Sequence, residues 1–236
     1  MKFIEKINQM KVKDSDRFPS VQWISYHLPK TAGTSFYHSL LESFGKSHVH
    51  TLYGTELALK MSRGEPVWAP KSAKIVHGHF KPRPQHLERF PKSRLVTWVR
   101  DPIERAWSNL RHWLTHDEGS KFTEFKEKYM KGEKKTDEEL FNCLVSDKFF
   151  WDIIEVYQIA FEYVKPERFA FVGRVEDYTN ELQRLSVIMN VELKEKKENT
   201  NSHNRTLPFK KSDYFHAFEK EYDFLRKWYD KDYPFE

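Results

Sequence analysis

Short apolar runs alternate along this chain with longer segments whose apolar residues recur every three or four positions. The first run, residues 21–28, carries Val21, Trp23, Ile24 and Tyr26, and Pro29 stops it. A loop follows, then a helix from about Ser35, with Phe36, Leu40, Leu41 and Phe44 on one side and Gly45 as its stop. Residues 74–77, 94–99 and 168–173 read as further strands. After residue 99 a helix start is written out: Asp101 in the N-cap place, Pro102 first in the helix, and Glu104 three residues after the cap, a capping box. Ile103, Ala106, Trp107, Leu110 and Leu114 then form a stripe at the helical period. Phe150, Ile153, Ile154, Tyr157, Phe161 and Val164 predict a helix that Pro166 ends. Residues 179–190 predict another, and Tyr214, Phe218, Tyr222, Leu225 and Trp228 a closing one. Residues 1–20 read as a polar arm, loose or helical, 117–137 as a charged, part-helical surface excursion and 193–210 as a loop. Strands this short and this apolar belong to a parallel sheet covered on both faces. The expectation is therefore a three-layer α/β fold, a central mostly parallel sheet flanked by helices, built as one domain over residues 1–236.

Composition narrows the partners. The 236 residues suffice for one sizeable core, and 39% hydrophobic with 16% aromatic residues argues against disorder. A net charge of +5, from 40 basic and 35 acidic residues, favours anionic partners. The basic residues are spread among acids rather than gathered in one stripe, so nucleic acid is not an expected partner. The single cysteine, Cys143, excludes an internal disulfide, and its apolar neighbours suggest a buried small hydrophobe. Residues 1–7 hold no apolar core of a signal peptide, and no stretch approaches the roughly 18 apolar residues of a membrane span. A cytoplasmic protein with no membrane partner is expected.

Three segments carry chemistry. His27-Leu28-Pro29-Lys30-Thr31-Ala32-Gly33-Thr34-Ser35 lies between a strand and a helix. It offers backbone N–H groups, hydroxyls and an ammonium, and the helix N-terminus adds partial positive charge. It is not a Walker A loop, because the lysine precedes the glycine and the usual first glycine is missing. Taken alone, it fits either an anion loop or an ordinary turn capped by Thr and Ser. His77-Gly78-His79 follows a short strand. Residues two apart in extended chain point the same way, so both imidazoles are expected to face one cleft, where histidine suits a general base. A structural pair or a metal-binding His-x-His stays open, although no third ligand stands at motif spacing. Arg100 follows an apolar strand, where a guanidinium can grip a phosphate with two parallel hydrogen bonds. Ser108 lies about two turns into the next helix, off its apolar stripe. The alternative for Arg100 is a carboxylate partner.

Together these segments resemble the sulfotransferases that use 3′-phosphoadenosine 5′-phosphosulfate (PAPS). They are most like the carbohydrate class that includes heparan sulfate 2-O-sulfotransferase. Pro29 through Ser35 resembles that family's 5′-phosphosulfate loop. The segment from Arg100 to Ser108 resembles its 3′-phosphate segment, and His77-Gly78-His79 stands at a similar distance before it. The resemblance implies a P-loop-like fold and PAPS as co-substrate, with PAP as product and no metal. It assigns Lys30 to the phosphosulfate and the leaving phosphate. It wraps Pro29, Thr31, Ala32, Gly33, Thr34 and Ser35 around the 5′-phosphate and places Arg100 and Ser108 on the 3′-phosphate. His79 becomes the catalytic base, with His77 as support or alternate base. Asn204, Arg205 and Thr206 fall in a segment similar in position to the one that closes over the nucleotide. The implied reaction is sulfuryl transfer to a hydroxyl of an acceptor, a glycan or small glycoside by resemblance alone. Two other readings share the anion loop: an ATP-dependent phosphotransferase with Mg²⁺ held by a carboxylate, for which Asp101 is the candidate, and a non-catalytic module that binds PAP or a glycan.

Overall fold

The computed structural model describes residues 2–54, 56–117, 120–196 and 206–226. The chain forms two compact units, Met1–Val99 with Ala160–Asn199, and Arg100–Ile159 with Thr200–Glu236. In chain order come α1 (Lys2–Lys11), β1 (Trp23–Tyr26), α2 (Gly33–Phe44), β2 (Val49–Leu52), α3 (Glu56–Arg63), β3 (Ile75–Gly78), α4 (Pro84–Arg89) and β4 (Arg94–Val99). They are followed by α5 (Pro102–His116), α6 (Ser120–Tyr129), α7 (Asp137–Ser146), α8 (Trp151–Ile154) and α9 (Val156–Ala160). The chain then passes through β5 (Phe171–Arg174) and α10 (Tyr178–Met189) to α11 (Phe215–Arg226).

The first unit is a five-stranded sheet in the order β2-β3-β1-β4-β5, with every pair parallel. Alternation along each strand feeds two cores. Trp23, Ile75, Val96 and Trp98 meet Phe36 and Leu40 of α2 and Leu182 and Leu185 of α10 on one face. Ile24, Tyr26, Val76 and Leu95 meet Met61 of α3, Phe90 and Val164 on the other. Burying each such side chain contributes roughly 1.5–3 kcal/mol, and this two-sided burial is why the strands read as unbroken apolar runs. From β1 the chain moves to one side for β2 and β3, then to the other for β4 and β5. The order thus reverses at β1, and in open α/β sheets ligands bind outside the carboxyl ends of the strands at such a point. Gly78 closes β3 because a Cβ there would sit 2.0 Å from the Leu52 carbonyl oxygen of β2. β2 itself escapes a periodicity search: His48, His50 and Thr51 interrupt its apolar run, and as an edge strand it sends Val49 and Leu52 into opposite cores.

The second unit packs the α5 stripe, from Ile103 to Trp113, against Phe141 and Leu144 of α7, Phe150, and Phe218 and Tyr222 of α11. Residues 117–137 are more than a surface excursion, since α6 buries Phe122 and Phe125 in this core. The helix expected over 150–164 is broken. The carboxylate of Glu221 accepts the N–H groups of Tyr157 (2.8 Å) and Gln158 (3.0 Å), and so caps a new helix start at α9. Pro166 opens a 3₁₀ turn, Pro166–Arg168. Asp101 does cap α5, accepting from Glu104 N at 2.9 Å, but Glu104 does not reciprocate because its carboxylate serves Arg100 and Lys211. Cys143 is half-buried beside the core rather than fully buried, and Trp228 of the closing helix lies outside the described residues. Among the described residues no helix is long and apolar enough to cross a membrane.

Candidate active site

The loop after β1 is held at its start by His27 N donating to Gly78 O (2.9 Å), and internally by Thr31 Oγ1 donating to Leu28 O (2.8 Å). Lys30 (φ 66°) and Ala32 (φ 57°) are both left-handed, a conformation that costs a residue with a Cβ roughly 1–2 kcal/mol. Thr31 between them is not, and such alternation aims successive N–H groups at one point, the nest geometry that binds anions. Ala32 is the N-cap of α2 and brings no side chain to cap it. The sequence had left open a turn capped by Thr and Ser. Thr31 faces back to Leu28, and Ala32 makes no side-chain cap to α2.

The histidines form a connected cluster beside this loop. His77 in β3 lies opposite Ser25 in β1, and their Nδ1 and Oγ are 2.8 Å apart. Its Nε2 meets the Tyr53 hydroxyl. That hydroxyl is 2.8 Å from His27 Nδ1, which is in turn 2.9 Å from His79 Nε2. The series Ser25, His77, Tyr53, His27, His79 thus runs from a side chain with no exposure at His77 to an exposed one at His79. Tyr37 of α2 stacks on His77 with ring centroids 5.7 Å apart. His27 lies flush on the start of α2: a Cβ at Gly33 would come within 1.8 Å of its Cδ2.

Burial, reinforced by the neighbouring His79, pulls the His77 pKa down to about 3. Burial of its inner edge takes His79 to about 4. His27 lies well below the ordinary imidazole range, through burial first and then through His79, His77 and Lys30. At neutral pH all three imidazoles are therefore uncharged. His77 has both ring nitrogens engaged deep in the sheet, whereas His79 reaches solvent, where a neutral imidazole is able to accept a proton. An anion held at the loop would stabilise the imidazolium so formed. His27 and Tyr53 are the members that sequence reasoning missed. The only signal was a histidine ending a buried strand, and Tyr53 follows the unrecognised β2.

Arg100 is the first residue after β4 and belongs to the second unit. The Tyr157 hydroxyl clamps its backbone, accepting from Arg100 N (2.8 Å) and donating to Arg100 O (2.6 Å). The guanidinium is half-buried and 3.3 Å from Glu104, the carboxylate partner that the sequence had left open. Lys211 also reaches Glu104 (2.6 Å) and Asp101 (3.2 Å), so Glu104 keeps a cation if Arg100 turns to another anion. Ser108 is half-buried one turn beyond Glu104 on the same helix. Of the late segment, Thr206 is exposed, and Asn204 and Arg205 lie outside the described residues. Among the described residues no group of three or more His, Cys, Asp and Glu side chains is placed to hold a metal ion.

The architecture is a P-loop-like α/β fold of the kind that sulfotransferases adopt. The chain is similar in structure to a sulfotransferase from Alicyclobacillus acidocaldarius, with a TM-score of 0.53 and 10% identity over 88% of this chain and 94% of that one. At this identity the likeness is one of fold. Weaker similarities, each with a TM-score of 0.38, are to mouse sulfotransferase SULT7A1 complexed with PAP and to a sulfotransferase domain from the curacin biosynthetic pathway. The first has 10% identity over 77% of this chain and 63% of the mouse chain, the second 14% over 86% and 83%, and neither carries weight here. No protein-family model and no curated protein sequence matches the chain.

Proposed function

We propose that this protein is a PAPS-dependent sulfotransferase acting on a hydroxyl of a glycan or small glycoside, with the whole chain serving as one catalytic domain. The observation that carries the reading is the loop over residues 27–35: left-handed at Lys30 and Ala32, with no side-chain cap on α2, and in contact through Gly33 with a cluster of neutral histidines. PAPS supplies an activated sulfuryl group. Lys30 and the N–H groups of residues 31–35 hold its 5′-phosphosulfate, and Arg100 and Ser108 take the 3′-phosphate. His79 removes the proton of the acceptor hydroxyl as the new oxygen–sulfur bond forms. The bond from sulfur to the 5′-phosphate oxygen breaks, and Lys30 with the loop N–H groups stabilises the charge gathering on the departing phosphate. His77, Tyr53 and Ser25 hold the cluster in register.

The phosphotransferase reading is disfavoured by Asp101. Its carboxylate already caps α5 and accepts from Tyr222 (3.0 Å) and Lys211 (3.2 Å), which leaves it poorly placed to hold Mg²⁺. The test is transfer of radiolabelled sulfate from PAPS to a panel of glycans and glycosides by the full chain. Lys30→Ala and His79→Ala should each lower turnover by about 10²-fold or more. Near-normal turnover by His79→Ala would remove the base assignment, and a panel left unlabelled by the wild type would remove the acceptor class.

A further inference from the structure

The cluster holds one imidazole for which the proposed reaction has no role. His27 directly follows β1, touches the proposed phosphate loop through Gly33 and touches His79 through a ring nitrogen. Its ring is T-shaped to that of His79, with centroids 4.3 Å apart, and nearly parallel to that of His77 at 5.7 Å.

We propose that His27 is the positioning residue for the base: its Nδ1 accepts the Nε2–H of His79, leaving the Nδ1 lone pair of His79 as the atom that takes the acceptor's proton. The proposal rests on the sulfotransferase reading above. Counting protons shows which arrangement a base at His79 requires. A neutral imidazole has one N–H and one lone pair. His27 Nδ1 faces two groups, the Tyr53 hydroxyl and His79 Nε2, and can accept from only one of them. Tyr53 has one proton and also faces His77 Nε2. When His77 donates its Nδ1–H to Ser25 Oγ, its Nε2 lone pair takes the Tyr53 proton. The lone pair of His27 is then left for His79, and the contact between the Tyr53 oxygen and His27 Nδ1 (2.8 Å) is a close approach that carries no proton. In the reverse arrangement His27 donates to His79 Nε2. The remaining proton of His79 then sits on Nδ1, and His79 has no lone pair for a base.

Burial and the nearby Lys30 ammonium keep His27 uncharged and so an acceptor. After His79 gains a proton, its Nε2–H donates to His27 as a charge-assisted bond, which is stronger than the neutral one. A base oriented by a third group is the general logic of activated sites, and here the third group is an imidazole in place of a carboxylate. Because the same ring lies flush on Gly33, the placement of the base is tied to that of the loop.

The experiment uses ¹⁵N-imidazole-labelled full chain, together with His27→Ala and His27→Asn, whose amide oxygen can accept the same N–H. The expected results are a neutral His79 in the Nε2–H tautomer and about a 10²-fold loss of turnover in His27→Ala, the scale of a displaced general base. PAP affinity should stay within about twofold of wild type, and His27→Asn should recover about tenfold or more of the lost turnover. An Nδ1–H tautomer at His79, wild-type turnover in His27→Ala, or parallel loss of PAP affinity would overturn the proposal. If His27→Ala does not fold, the wild-type tautomer and His27→Asn decide. Absence of any PAPS turnover in the wild type would count against the sulfotransferase reading, while the tautomer would still report on the hydrogen bond by itself.

Discussion

Gly33→Ala is the sharpest perturbation of this site. The added Cβ would lie 1.8 Å from Cδ2, 1.9 Å from Nε2 and 2.1 Å from Cγ of His27. Carbon atoms in contact sit about 3.5–4.0 Å apart, so the ring must retreat by roughly 1.5–2 Å. It cannot do so and keep its hydrogen bond to His79 (2.9 Å), and the neighbouring Tyr53 hydroxyl (2.8 Å from Nδ1) and the backbone tie to Gly78 O leave it little room to shift. Lost hydrogen bonding costs about 0.5–1.5 kcal/mol per bond, and overpacking about 1–3 kcal/mol. Gly33 is not left-handed, so alanine returns up to about 1 kcal/mol of helix propensity. The net expectation is a loss of about 2–4 kcal/mol, read by urea unfolding. Alanine at position 27 removes the obstacle, so the Gly33→Ala/His27→Ala pair should be more stable than the two single losses predict, with a coupling of about 1–3 kcal/mol. A Gly33→Ala protein within about 0.5 kcal/mol of wild type, or a strictly additive double variant, would refute the packing argument.

Two further outcomes follow from the geometry. His77 and His86 are buried and titrate at about 3 and about 4, against about 6.5 in the unfolded chain. The unfolded state therefore binds more protons below pH 6.5. Their stabilising contribution is complete above that value and declines as pH falls, by up to about 1.4 kcal/mol per pH unit for each ring until its folded value is reached. Urea unfolding at pH 7, 6 and 5 should show this decline, and a flat profile would contradict it. Tyr157→Phe removes the hydroxyl that clamps both backbone groups of Arg100, at a cost of about 1–3 kcal/mol in stability. It should weaken PAP several-fold and 5′-AMP by less than about twofold, whereas equal weakening would contradict the 3′-phosphate role of Arg100.

The sheet was legible because its inner strands are buried on both faces: β4 falls on the residues that periodicity marks, and β1 and β3 fall within a few residues. β2 was not, since the histidines that interrupt its pattern are tolerated at a sheet edge. The break in the helix over 150–164 is imposed by Glu221, some sixty residues away in sequence, and no local pattern announces it. At the site, the strand–loop–helix frame and the His-Gly-His segment are local and readable. The pairing of His27 with His79 arises from the register of β1 and β3 and a close approach at Gly33, neither of which a linear motif encodes. The ion pair between Arg100 and Glu104 is a helical i,i+4 neighbour that the capping-box reading had already spent on Asp101.

The central claim is the nucleotide site, and thermal stabilisation of the full chain by PAP, compared with ADP and with ATP plus Mg²⁺, tests it most directly. A ligand that binds only the folded state adds about 2.7 kcal/mol at a hundred times its dissociation constant. The account predicts a clear rise in Tm with PAP and little with ADP or ATP. A rise with ATP and Mg²⁺ but none with PAP would contradict it and withdraw the roles given to Arg100 and Ser108.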